Sequence, residues 1–102
     1  MIKRALFALA ALSAASAPVL ADQALATAKN CMACHAAEKK LVGPSYKEVA
    51  LKYNGQKDAV DRLAAKIIKG GAGVWGPVPM PANAQVNEAD AKKLAVWVLT
   101  HR

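Results

Sequence analysis

The chain reads as all-α, with about four helices. Apolar residues recur at helical spacing in separate segments, glycine and proline stops divide those segments, and no run alternates β-branched and polar residues for long enough to make a strand. The order of the elements explains what the helices have to enclose.

Lys3 and Arg4, the apolar run from Ala5 to Leu12 and the small-residue site Val19-Leu20-Ala21 read as a secretory signal over residues 1–21. A bilayer span needs about 20 apolar residues, and Ala5 to Ala21 gives fewer, broken by Ser13, Ser16 and Pro18. Cleavage after Ala21 exposes Asp22 rather than a lipidatable cysteine. The expectation is therefore a periplasmic protein without stable membrane insertion, its one domain spanning residues 22–102. A monomer suits such a chain.

Alanine-rich Asp22 to Asn30 is expected to form a first helix that delivers the chain to Cys31. Ser45 and Glu48 have capping-box spacing, and Tyr46, Val49, Ala50 and Tyr53 share a face, so a short helix starts there and ends at Asn54-Gly55. From Asp58, residues Val60, Leu63, Ala64, Ile67 and Ile68 form an amphipathic stripe stopped by Gly70-Gly71. Asn87 caps a last helix whose inner face is Ala91, Leu94, Ala95 and Val98. Between them, residues 70–86 carry four glycines and three prolines and cannot be regular helix. A loop of that length in a small domain usually has a function.

With Phe7 in the leader, Tyr46, Tyr53, Trp75 and Trp97 are the only aromatics left to fill a core. Chains of about 80 residues usually need a staple, because too little apolar surface is buried against the conformational entropy lost. The two cysteines, Cys31 and Cys34, stand in Cys31-Met32-Ala33-Cys34-His35. A dithiol switch expects a strand-helix-strand context, and no strands are read. Zinc expects about four ligands, for which only Cys31, Cys34, His35 and the terminal His101 offer themselves, and His35 directly follows Cys34. The third reading is c-type haem attachment: two thiols on one turn add to two porphyrin vinyl groups, and the next residue, His35, is carried under the ring to bind iron. Export, small size and the lack of other cysteines favour it. Outside the leader, the methionines are Met32, tied into the attachment turn, and Met80, held between Pro79 and Pro81. Met80 is then the expected second iron ligand, the alternative being a gap-filling core side chain.

Fourteen basic residues against seven acidic ones give a formal charge of +7, and loss of Lys3 and Arg4 leaves about +5. Scattered lysines without an arginine cluster or interleaved aromatics speak against nucleic acid and for acidic protein partners.

Taken together, Cys31-Met32-Ala33-Cys34-His35, Val42-Gly43-Pro44 and Gly73-Val74-Trp75-Gly76-Pro77-Val78-Pro79-Met80-Pro81 make a chain that resembles the short single-haem class I cytochrome c of bacteria, the kind that passes electrons to periplasmic nitrite reductases, peroxidases and terminal oxidases. The resemblance covers residues 22–102. It implies a cytochrome c fold around one covalent haem c, axial ligation by His35 and Met80, and a Pro44 carbonyl accepting the other imidazole N–H. It further implies that Trp75 and the region of Lys66 meet a haem propionate and that Asn83 contacts the Met80 sulfur. The family pattern has proline before that asparagine and arginine near Lys66, where this chain has Ala82 and Lys66. Lys29, Lys39, Lys40, Lys47 and Lys52 are the candidate docking patch for acidic redox partners. The functional expectation is an electron carrier, not an enzyme; the alternative is a haem with an open sixth site acting as a peroxidase-like enzyme or ligand sensor.

Overall fold

Four α-helices and one 3-10 turn make up the regular structure among the described residues, 17–102, of the computed structural model: α1 (Ala17–Ala28), the turn Cys31–Ala33, α2 (Tyr46–Lys52), α3 (Ala59–Lys69) and α4 (Glu88–Leu99). The leader read over residues 1–21 lies mostly outside the described residues. Where it is described, α1 runs across the cleavage point expected after Ala21. This helix stops at Ala28, two residues short of the expected end, because Asn30 takes a left-handed conformation with φ 67°, which asparagine tolerates better than most residues.

Helix α2 starts where its capping box requires. The Ser45 hydroxyl accepts the Glu48 N–H at 3.0 Å, and the Glu48 carboxylate accepts the Ser45 N–H at 3.3 Å. The next two orphan donors are met from outside: the N–H groups of Tyr46 and Lys47 bond the carbonyls of Ala36 and Ala37 at 2.9 and 3.0 Å. The start of α2 therefore grips the chain just after His35, which links a local capping signal to the placement of the motif. Pro44 precedes the N-cap and so stands outside the helix rather than at its first position.

Helix α3 has Asp58 at its N-cap without a side-chain cap bond; that carboxylate sits 3.9 Å from Arg62 instead. The helix ends at Gly70, whose φ of 69° with ψ of −161° is a region essentially restricted to glycine. At α4, the Asn87 side chain accepts the Asp90 N–H at 2.8 Å.

Helix α4 packs on α1, α2 and α3. Close approach is made by small residues, with Ala26, Ala91 and Ala95 fully buried. Val49, Leu63, Val86 and Leu94 are the large aliphatic side chains of the core. At about 1.5–3 kcal/mol each, they offset little of the roughly 1–2 kcal/mol of backbone entropy lost per residue. The expected inner faces hold in part: Leu63, Ala64, Ala91, Leu94 and Ala95 are buried, whereas Val60, Ile67, Ile68 and Val98 are half-buried. Ile67 and Val98 line a cavity. Trp97 joins the buried core from the last helix.

Candidate cofactor site

The cavity has a volume of about 310 Å³ and is open on one side, and Cys31, Cys34, His35 and Met80 all contribute to its wall. Each arrives by a different local device. Cys31 begins the 3-10 turn, where the N–H groups of Cys34 and His35 both bond the Cys31 carbonyl, at 3.2 and 3.1 Å. That doubled acceptor places both cysteines and the histidine on one tight turn.

His35 is fixed from two sides. Its Nδ1 lies 2.7 Å from the Pro44 carbonyl oxygen; a carbonyl only accepts, so Nδ1 carries the hydrogen and the Nε2 lone pair is left for a metal. The ring also lies so close to Gly43 that a Cβ there would stand 2.5 Å from Cε1 and 2.9 Å from Nδ1. Only a glycine lets the imidazole occupy that space. Tyr46 stacks on the other flank at 5.5 Å between centroids. Its hydroxyl donates to Met32 Sδ at 3.3 Å, and its burial and the nearby Cys31 thiol raise the phenol well above its ordinary value. Burial likewise raises the Cys31 thiol. Met32, half-buried against the core, is thus occupied within the attachment segment.

Met80 is held through its backbone. Gly71 N–H donates to the Met80 carbonyl at 2.9 Å and Met80 N–H donates to the Gly71 carbonyl at 2.8 Å. The flanking Pro79 and Pro81 have no N–H to spend and fix φ on both sides, so this bridge sets the position from which the thioether reaches the cavity.

The remaining implied contacts fall out unevenly. Asn83 does not direct its amide at the Met80 sulfur. Its Nδ2 donates to the carbonyls of Ile67 at 2.8 Å and Pro81 at 3.4 Å, and its Oδ1 accepts from Gln85 at 3.2 Å. Both amide hydrogens are thereby used, one tying the loop to the end of α3 and the other bonding within the loop. Trp75 and Lys66 both line the cavity; Trp75 is partly exposed, with the Lys52 ammonium 5.4 Å above its ring, and Lys66 folds toward Gly71. Of the five candidate docking lysines, Lys39, Lys40, Lys47 and Lys52 are exposed and Lys40 stands at the cavity wall. Lys29 differs: it is half-buried and its ammonium donates to the Gln85 carbonyl at 3.1 Å. His101 is no ligand candidate here. Its Nδ1 donates to the carbonyls of Trp97 and Val98 in the last turn of α4.

The exposed apolar residues test what the cavity takes. Among the described residues, Val42, Val74, Trp75 and Val78 are four of the seven large apolar side chains left exposed, and all four line it. Such a cluster marks a surface that something apolar covers. A flat apolar macrocycle with a metal at its centre fits this wall and its donor set of two thiols, one imidazole nitrogen and one thioether sulfur. A closed tetrahedral zinc site fits less well, since among the described residues no group of three or more His, Cys, Asp or Glu could hold a metal ion.

Sequence reasoning took Gly70-Gly71 only as a helix stop and did not single out Gly43 or Tyr46 as neighbours of the histidine. The signal for Gly43 is its place beside Pro44 in Val42-Gly43-Pro44, but the close ring contact appears only once the chain folds back.

A small helical protein that binds haem through a Cys-x-x-Cys-His turn is what fold and site define. Residues 21–102 match the cytochrome c family, and the chain belongs to it; with that family come electron transport and covalently bound haem c. It is 59% identical over 80 residues to cytochrome c-552 of Hydrogenobacter thermophilus, covering 78% of this chain and 81% of that one. It is 61% identical over 74 residues to cytochrome c-551 of Azotobacter vinelandii, covering 72% and 89%. Among solved structures, wild-type cytochrome c552 of Nitrosomonas europaea superposes with a TM-score of 0.77 at 51% identity, covering 78% of this chain and 99% of that one.

Proposed function

We propose that the protein is a soluble periplasmic electron carrier, exported by the segment 1–21, with haem attached through Cys31 and Cys34 and iron ligated by His35 and Met80. One observation carries the reading: an imidazole with its Nδ1 committed to Pro44 and a backbone-pinned thioether line the same apolar cavity as the two cysteines. Haem c, when bound, supplies one-electron cycling between ferric and ferrous iron. The chain's own residues set how that happens.

Two protein ligands close the iron to substrates, which separates a carrier from a peroxidase-like enzyme. The thioether favours the ferrous state relative to a second imidazole, and the apolar wall of Val74, Ile67, Leu94 and Val98 pushes the same way. The bond from His35 to Pro44 holds the imidazole orientation through the cycle. Val42 and Lys40, at the cavity wall, belong to the surface through which electrons pass to an acidic partner.

No helix among the described residues is long and apolar enough to cross a membrane. Exposed Lys39, Lys40 and Lys47 steer an acidic partner without making the complex tight. The experiment is carbon monoxide binding to the ferrous holoprotein at neutral pH. A carrier with Met80 on the iron binds it slowly or not at all, and rapid binding places the protein with open-site haem enzymes or sensors.

A further inference from the structure

Lys29 and Gln85, 56 positions apart in sequence, bond each other twice. The Lys29 ammonium donates to the Gln85 carbonyl at 3.1 Å, and the Gln85 amide Nε2 donates to the Lys29 carbonyl at 3.3 Å. The second hydrogen of Nε2 goes to Asn83 Oδ1 at 3.2 Å, and Asn83 in turn bonds Ile67 and Ile68 at the end of α3, through its side chain at 2.8 Å and its N–H at 3.1 Å. Lys29 lies two residues before Cys31, and Gln85 lies five residues after Met80. The chain of bonds therefore joins the attachment segment to the far leg of the methionine loop, while the Gly71 bridge holds the near leg.

We infer that the Lys29–Gln85 pair is a clamp that positions Met80 for the iron, so that Lys29 is a positioning residue rather than a docking residue. This rests on Met80 ligation as proposed above. The bonds on Gln85 and Asn83 fix backbone on both sides of the loop. Pro81 fixes φ directly after Met80. Release of the Gln85 end therefore loosens the leg, which keeps the Asn83 bonds to Ile67 and Ile68, the buried Val86 and the Gly71 bridge as its remaining anchors. A ligand that competes with Met80 then finds the loop open more often, and its apparent affinity rises with the open fraction.

The test uses ferric holoprotein and imidazole, which binds only when Met80 leaves. Loss of one charged hydrogen bond in Lys29→Met, or of the two neutral ones donated by the Gln85 amide in Gln85→Ala, predicts that each variant raises the apparent imidazole affinity by about fivefold. The double variant raises it further than either single one, because each removes a different bond of the pair: Lys29→Met the ammonium on the Gln85 carbonyl, and Gln85→Ala the amide on the Lys29 carbonyl. Lys29→Arg keeps a long cationic donor and stays near the wild-type affinity. If the wild type shows the sulfur-to-iron absorption band and the variants lower only the unfolding midpoint while imidazole affinity stays unchanged, the clamp is overturned. A wild type that lacks the band and takes up imidazole without competition instead overturns Met80 ligation, and the clamp falls with it.

Discussion

Met80 and Gly71 exchange both of their backbone hydrogen bonds, at 2.8 and 2.9 Å, although nine positions separate them and both neighbours of Met80 are prolines. The bridge is possible because Gly70 turns the chain at a positive φ immediately beforehand. A Cβ on Gly70 would stand 2.3 Å from the Met80 carbonyl oxygen and 2.8 Å from Pro81 C.

Gly70→Ala is therefore expected to lower folding stability by about 2 kcal/mol or more, from backbone strain and the clash with the methionine loop. Denaturant unfolding of the holoprotein measures it. The loss of sulfur-to-iron absorption should occur at lower denaturant than the loss of helix, since the strain falls on the loop first.

Gly43→Ala acts on the histidine side. Its Cβ would meet Cε1 and Nδ1 of His35 at 2.5 and 2.9 Å, so the ring has to leave the Pro44 carbonyl. Removing that acceptor bond costs about 1 kcal/mol and makes the imidazole a weaker, mobile ligand. The expected result is a shifted reduction potential and a changed ferric spectrum with the haem still covalently bound; an unchanged potential would contradict the role given to the Gly43 contact.

Tyr46 sets a pH limit. Its burial, with the Cys31 thiol as a smaller cause, raises the phenol above its ordinary value of 10.0. Above that ordinary value the unfolded chain releases a proton that the folded chain keeps, so stability is fully present below pH of about 10 and falls as pH rises toward the folded value. Attachment of haem turns Cys31 into a thioether and removes its share, leaving burial alone. Unfolding midpoints measured across alkaline pH should decline in the wild type and decline less in Tyr46→Phe.

Cys34→Ala separates attachment from folding. One thioether remains through Cys31, and the ring loses the second of its two anchors on the turn. The holoprotein should form in lower yield, and some haem should pass into acidified organic solvent after denaturation, where wild-type haem stays with the polypeptide.

Much of this arrangement is legible in the sequence because each helix carries its own start and stop. Ser45 with Glu48, Asn87 with Asp90, and Gly70 act through bonds within four residues, and short-range signals of that kind survive without tertiary information. The Cys31-to-His35 turn is legible for the same reason. What the sequence conceals are contacts between distant segments: Gly43 under His35, Tyr46 on Met32, and Gln85 on Lys29. Nothing in the local pattern at Asn83 tells whether its amide points at Met80 or at Ile67, and the backbone of α3 settles that choice. The half-buried Ile67 and Val98 look like core by spacing, yet they face the cavity, since helical periodicity reports an apolar face and not what covers it.

On the proposed function, His35 and Met80 hold one haem iron between them. The most direct measurement is the long-wavelength sulfur-to-iron absorption of the ferric holoprotein at neutral pH, taken side by side with Met80→Ala. A weak band in the wild type that vanishes in the variant, with covalent haem retained in both, is the expected result. A wild type without the band, or a band that persists in Met80→Ala, would contradict it.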